Sequence, residues 1–182
     1  MRTITVELGE KTYNIEIAAG LLDQIGAKAR VLSQAVKAAI ISDSNVDPLY
    51  GERLERSLAA SEFEVTRIVF AAGEQSKNLT VLGQVYDELA RAGLTRSDLI
   101  LTLGGGVPGD LGGFAAATFL RGIDFIQVPT SLLAQIDSSV GGKVAIDLPS
   151  GKNLAGSFYQ PKAVFIDPDL LKTLPLRFLH DG

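Results

Sequence analysis

The chain opens with two short segments in which apolar and polar residues alternate, residues 2–8 (RTITVEL) and 13–17 (YNIEI), separated by the turn-forming GEK. A period of two places successive side chains on opposite faces of an extended strand, so the pair predicts an N-terminal β-hairpin. From Leu21 onward the apolar residues recur at spacings of three and four, through Leu22, Ile25, Ala29 and Leu32, which is the repeat of a helix with one buried face. The apolar run KAAIIS (37–42) stops at the turn-like DSNVDP. After it come a helix over about 50–60, a strand EVTRIVF (64–70), a loop AAGEQSK (71–77), a helix over about 79–92, and SDLILTLGGG (97–106), a strand that ends abruptly at glycine. Strands nearly continuous in Val, Ile and Leu, alternating with helices of this length, predict an α/β, Rossmann-like fold: a parallel sheet with helices on both faces, preceded by the hairpin. Such sheets bind ligands beyond the carboxyl ends of their strands. Four strand exits therefore matter: SDSN (42–45), AAGEQSK, GGGVPGD (104–110) and VPTSLLAQIDSS (128–139). The last segment, DPDLLKTLPLRFLHDG, ends on a helix-start pattern without a closing element.

Composition narrows the classes without changing this picture. A chain of 182 residues with 46% hydrophobic and 21% charged positions is enough for one domain with a real core, here residues 1–182. A net charge of −4, with scattered lysines and arginines, argues against nucleic acid as a partner and makes any bound anion a small one. Absence of cysteine excludes disulfides and thiolate metal sites, and the single histidine, His180, cannot build a multi-histidine cluster within one chain. No stretch of 18 apolar residues and no apolar leader occurs, so the expectation is a cytoplasmic protein with no membrane association.

Candidate chemistry sits at the strand exits. Gly104, Gly106 and Gly109 have G-x-G-x-x-G spacing after a strand and before the helix-like DLGGFAAATFL, where glycine lets backbone approach a pyrophosphate; a plain tight turn explains the same residues. The GGFAAA that follows reads as close packing of helix on sheet. Asp43 could accept hydrogen bonds from a ribose diol or form a local Asx turn. Glu74 and Lys77 stand in another exit loop, where charges are ordinarily solvated. In DFIQVPTSLLAQIDSSVGGK, Thr130 and Ser131 cap an apolar helix, and Asp137 falls at its carboxyl end, where the helix dipole opposes an acid. Lys143 and Lys152, each beside glycine, are either solvated turn residues or point charges for a carboxylate or phosphate. Arg121, next to Gly122, has a simple reading as a dipole partner at a helix end.

The stretch from GGGVPGDLGGFAAATFLRGIDFIQVPTSLLAQIDSSVGGKVAIDLPSGKNLAGSFYQPKAVFIDPDLLKTLP closely resembles the central signature of the 3-dehydroquinate synthase family, with SDSNV and GEQSK preceding it at fitting distances. The resemblance covers nearly the whole chain. It implies an NAD-dependent enzyme needing zinc or cobalt that converts 3-deoxy-D-arabino-heptulosonate 7-phosphate, a sugar-acid phosphate, into 3-dehydroquinate and phosphate in the shikimate pathway. By motif position it implies NAD contacts at Asp43, Glu74, Lys77, Gly105, Gly106, Val107, Asp110, Thr130, Ser131 and Lys152. Substrate contacts are implied at Asp137, Lys143, Lys152 and Asn153, and Arg121 is expected to reach across a homodimer to the partner's substrate phosphate. Val144, Pro108 and Phe178 depart from the commoner family choices. The family's metal ligands lie beyond the point where this chain stops, and His180 matches none of them. The expectation is therefore the NAD-binding domain, without the helical metal-binding domain and inactive alone. A related sugar-phosphate cyclase, such as a 2-deoxy-scyllo-inosose synthase, and a non-catalytic nucleotide-binding or dimerisation module are the alternatives.

Overall fold

In the computed structural model the described residues are 1–176 and 179. Two expectations, on Phe178 and His180, lie outside them. Seven strands form one sheet: β1 (Arg2–Val6), β2 (Tyr13–Ile17), β3 (Lys37–Asp43), β4 (Glu64–Phe70), β5 (Leu99–Gly104), β6 (Asp124–Pro129) and β9 (Ala163–Ile166). Their spatial order is β1-β2-β9-β6-β5-β3-β4, parallel except for the antiparallel β1–β2 hairpin. The hairpin is no separate prefix, because β2 pairs in parallel with β9 and carries β1 as the sheet's edge. Two further strands, β7 (Lys143–Leu148) and β8 (Gly151–Phe158), make a separate antiparallel ribbon.

Alternation along the central strands divides the core in two. Ala38 and Ile40 of β3 and Leu99, Leu101 and Leu103 of β5 pack on one face with Ile25 and Ala29 of α1 (Ile25–Leu32) and Leu54 and Leu58 of α2 (Glu52–Ala59). Ala39, Ile41 and Ile100 turn to the other face, against Leu82, Val85 and Leu89 of α3 (Leu79–Arg91), Leu111 and Ala115 of α4 (Gly106–Thr118), and Val144 and Ile146 of the ribbon. The predicted Rossmann-like α/β architecture is thus present, with helices on both faces. The helix after β3 lies on one face and leads to β4, whereas the helix after β5 lies on the other and leads to β6, in the opposite direction. Between those two strand ends the connections part, leaving a crevice at their carboxyl ends.

Three elements differ from expectation. The last helix of the glycine-rich segment starts at Gly106, not Asp110. Pro108 is its third residue, a position where the missing N–H would have no intrahelical partner anyway. After Ser131 there is only a short helical turn, with a π-type turn over Ala134–Ser138, in place of an extended apolar helix. The glycine turns around Lys143 and Lys152 are the two ends of the ribbon. Among the described residues no helix is long and apolar enough to cross a membrane.

Candidate functional site

At the end of β5 the backbone of Gly104 has φ +155°, and a Cβ there would lie 2.5 Å from Pro108 Cγ, so only glycine fits. Gly105 is the N-cap of α4, and no side chain caps that end. A Cβ on Gly105 would come 3.3 Å from Ser131 Oγ, and one on Gly106 would come 3.5 Å from Ser138 Oγ. The first turn of α4, including Val107, therefore offers bare backbone toward the segment that leaves β6, the arrangement by which helix N–H groups hold an anion. Gly109 has a different job: its missing side chain leaves room for Gln127 Oε1, at 3.1 Å from where a Cβ would be, and it packs on the sheet. Thr130 is buried, and its N–H donates to Gly104 O at 2.9 Å, tying the ends of β5 and β6 together. Ser131 Oγ accepts from Ala134 N at 3.3 Å, a local cap as expected.

Lys77 is the centre of the site's electrostatics. Far from being solvated in its loop, it is only 5% exposed. Its Nζ lies 2.6 Å from Asp110 Oδ2 and donates to Asn153 Oδ1 at 2.6 Å. These three residues come from the β4 exit, the first turns of α4 and the ribbon. Burial pushes the Asp110 carboxyl above its ordinary pKa, against the opposing pull of the Lys77 hydrogen bond and charge, with Glu74 and Asp147 adding to the rise. Lys152 Nζ pairs with Glu74 Oε1 at 3.2 Å, but both side chains are exposed, 72% and 45%. Such pairs contribute little, so Glu74→Gln is expected to change the unfolding free energy by less than about 0.5 kcal/mol in urea titrations.

Beside this network lies a cavity of about 470 Å³ whose wall includes Asp110, Asp137, Ser138, Lys143 and Asn153. Asp137 is exposed and lies in the short π-type turn, so the dipole of a long helix does not act on it. Lys143, also in the lining, is exposed at the start of β7. Asp43 ends β3, and its Oδ1 accepts from Asn45 N at 2.8 Å and Val46 N at 3.0 Å. One of its oxygens is thus committed to the local turn, the alternative to a ribose contact. Arg121 is not brought to this cavity. It is exposed in the turn Phe119–Arg121, beyond the far end of α4, roughly 20 Å along a 13-residue helix from the glycine turn. Leu120 and Arg121 both have positive φ, +51° and +69°.

Sequence reasoning passed over Ser138 and Asp147. The strand alternation of KVAIDL, with Val144 and Ile146 buried, would have revealed the ribbon; flanking glycines disguised it as turns.

Residues 67–181 match the family described as 3-dehydroquinate synthase N-terminal. The chain belongs to that family. It is 58% identical over 182 residues to a 3-dehydroquinate synthase of Clostridium acetobutylicum, covering 100% of this chain and 51% of that protein. The chain spans about half the length of the curated relatives it matches. Among solved structures it is similar to a 2-deoxy-scyllo-inosose synthase complexed with carbaglucose-6-phosphate, NAD+ and Co2+, with TM-score 0.89 and 30% identity over 97% of this chain and 49% of that one. It is also similar to a 2-epi-5-epi-valiolone synthase from Streptomyces hygroscopicus subsp. jinggangensis with NAD+ and Zn2+ bound, with TM-score 0.85 and 31% identity over 97% of this chain and 49% of that one.

Proposed function

We propose that this chain is the dinucleotide-binding half of a 3-dehydroquinate synthase, which converts 3-deoxy-D-arabino-heptulosonate 7-phosphate into 3-dehydroquinate and phosphate. The observation that carries the reading is the bare first turn of α4, facing Ser131 and Ser138 beside the buried Lys77, which holds Asp110 and Asn153. Those residues fit a dinucleotide: glycine backbone for the diphosphate, and Asp43 at the β3 exit for a ribose hydroxyl. Glu74, Val107 and Thr130 follow the carboxyl ends of β4, β5 and β6, and Lys152 of the ribbon pairs with Glu74. The backbone of Gly105 and Gly106 and the carboxylate of Asp43 would hold NAD+, which would supply reversible hydride acceptance at one substrate carbon. The chain's own part is to orient and to compensate charge. Lys143 and Lys152 supply mobile cations for a sugar-acid phosphate, Asn153 fixes one polar group beside Lys77, and Asp137 in the cavity lining accepts hydrogen bonds from substrate hydroxyls.

A divalent metal does not fit this half alone: among the described residues no group of three or more His, Asp or Glu side chains is placed to hold one. In this proposal the metal, zinc or cobalt, is held by a further domain, and the isolated chain is inactive. Arg121, remote from its own cavity, serves the phosphate of a partner copy in a cytoplasmic homodimer.

A second reading, another sugar-phosphate cyclase such as 2-deoxy-scyllo-inosose synthase, is motivated by the structural likeness, but the higher identity to 3-dehydroquinate synthases favours the first. Product analysis of the chain joined to its remaining half separates the two. A third, a module that binds nucleotide without catalysis, would give NAD+ binding and no product.

Calorimetric titration of NAD+ into the chain tests the site. Gly106→Val is expected to weaken binding by at least about tenfold with an unchanged circular dichroism spectrum, because a Cβ itself fits against Ser138 while the two methyl groups enter the diphosphate's space. Unchanged affinity would move the dinucleotide elsewhere.

A further inference from the structure

The pairing of β7 with β8 is irregular between Ile146 and Leu148. Ile146 pairs with Ala155 and Leu148 with Gly151, so one residue of β7, Asp147, stands opposite three of β8, Lys152, Asn153 and Leu154. A bulge of this kind bends a strand and re-aims its side chains, and such bulges concentrate beside active sites. Here it delivers Lys152 to Glu74 and Asn153 to Lys77. Asn153 has φ +55°, one of four non-glycine residues with positive φ in the described backbone, and such a conformation persists only where surrounding contacts hold it.

Asp147 makes those contacts. Its Oδ1 accepts from Asn153 N at 2.8 Å, and its own N–H donates to Lys77 O at 2.8 Å. One residue therefore fastens the bulge both to the Lys77 loop and to the left-handed backbone that aims Asn153.

We propose that Asp147 is a positioning residue: it clamps the β8 bulge against the Lys77 loop and so holds Asn153 and Lys152 in place for ligand. The inference rests on reading this cleft as a dinucleotide site. The role calls for a side-chain acceptor, not a charge. Asn at this position keeps the acceptor, Leu keeps the approximate volume without it, and Ala removes both.

The test compares Asp147→Asn, Asp147→Leu and Asp147→Ala with the unaltered chain. It uses NAD+ affinity by calorimetry, hydrogen exchange of the Asn153 amide by NMR, and thermal unfolding. Leu and Ala are expected to speed exchange at Asn153 by at least about tenfold and to weaken NAD+ binding by at least about threefold, while Asn stays within about twofold of the original on both. Loss in the Asn variant equal to that in Leu overturns the acceptor role. Unchanged exchange in Leu and Ala overturns the clamp itself. If Leu and Ala fail to fold while Asn folds, the residue is structural and the positioning role is lost. Should the unaltered chain not bind NAD+, the functional reading fails, and exchange at Asn153 alone decides this inference.

Discussion

Lys77→Met is expected to lower the unfolding free energy by about 3–5 kcal/mol, because it keeps the length of the side chain but leaves the largely buried Asp110 carboxyl without its cation and Asn153 without its donor. For a chain of this size the melting temperature should fall by on the order of 10 °C. The side chains of Lys77 and Asp110 are only 6% and 19% exposed, whereas in the Lys152–Glu74 pair they are 72% and 45% exposed and screened by water. The deficit should depend on pH with a definite sign. Burial already raises the Asp110 carboxyl above its ordinary value, so the folded state binds its proton more tightly than the unfolded state does. Acidification through the window above the usual carboxylate pKa of about 3.9 therefore relieves the cost of the buried charge, and raising pH restores that cost. Without Lys77 the carboxyl rises further and the window extends upward. Urea midpoints from about pH 4 to pH 8 should show the gap between variant and original widening as pH increases. A gap independent of pH would mean that Asp110 does not carry the effect.

Gly113→Val should damage the scaffold side of the site strongly. A Cβ at Gly113 would lie 2.4 Å from Val144 Cγ1 and 3.2 Å from Phe125 Cε2, and both of those residues are buried. Overpacking of this kind costs about 1–3 kcal/mol, and a β-branched replacement belongs at the upper end. Helix propensity returns only roughly a few tenths of a kcal/mol, so packing wins. The damage should also reach the cavity, since Val144 neighbours Lys143 and lines the same wall. Val144→Ala in the Gly113→Val background should recover about 1 kcal/mol or more, a coupling that a double-mutant cycle from denaturant unfolding measures directly. Simple additivity of the two changes would show that the ribbon does not seat on α4 at this point. The same contact gives a physical place to Val144, which stood out in the sequence: it is part of the core under the ribbon, 1% exposed, more than a wall of the cavity.

Much of this protein was legible because its signals are local. Period-two and helical patterns located β1 to β6 and α1 to α3 to within a few residues, since a strand buried on both faces must be apolar throughout and a surface helix must be apolar on one side. The packing role of Gly112 and Gly113 was legible for the same reason: small residues in an apolar helix signal close approach, and a Cβ on Gly112 would meet Thr102 Cγ2 at 2.7 Å. What misled was punctuation. Glycines at 141, 142 and 151 read as isolated turns, although they flank two strands, and Pro108 hid four residues of helix that begin before Asp110.

By itself the sequence determined the alternation of strands and helices, the glycine turn after β5 and the candidate residues at each strand exit, because each of these follows from neighbours within one turn or one strand. The tertiary structure decided which candidates meet. Lys77 became buried and paired with Asp110 and Asn153, Arg121 was carried to the opposite end of α4, and Asp147 was placed under a bulge that only the ribbon's pairing creates. The reason is range: the site's ion pairs and hydrogen bonds join segments up to 78 positions apart in the chain, brought together only when the parallel sheet gathers its strand ends into one crevice.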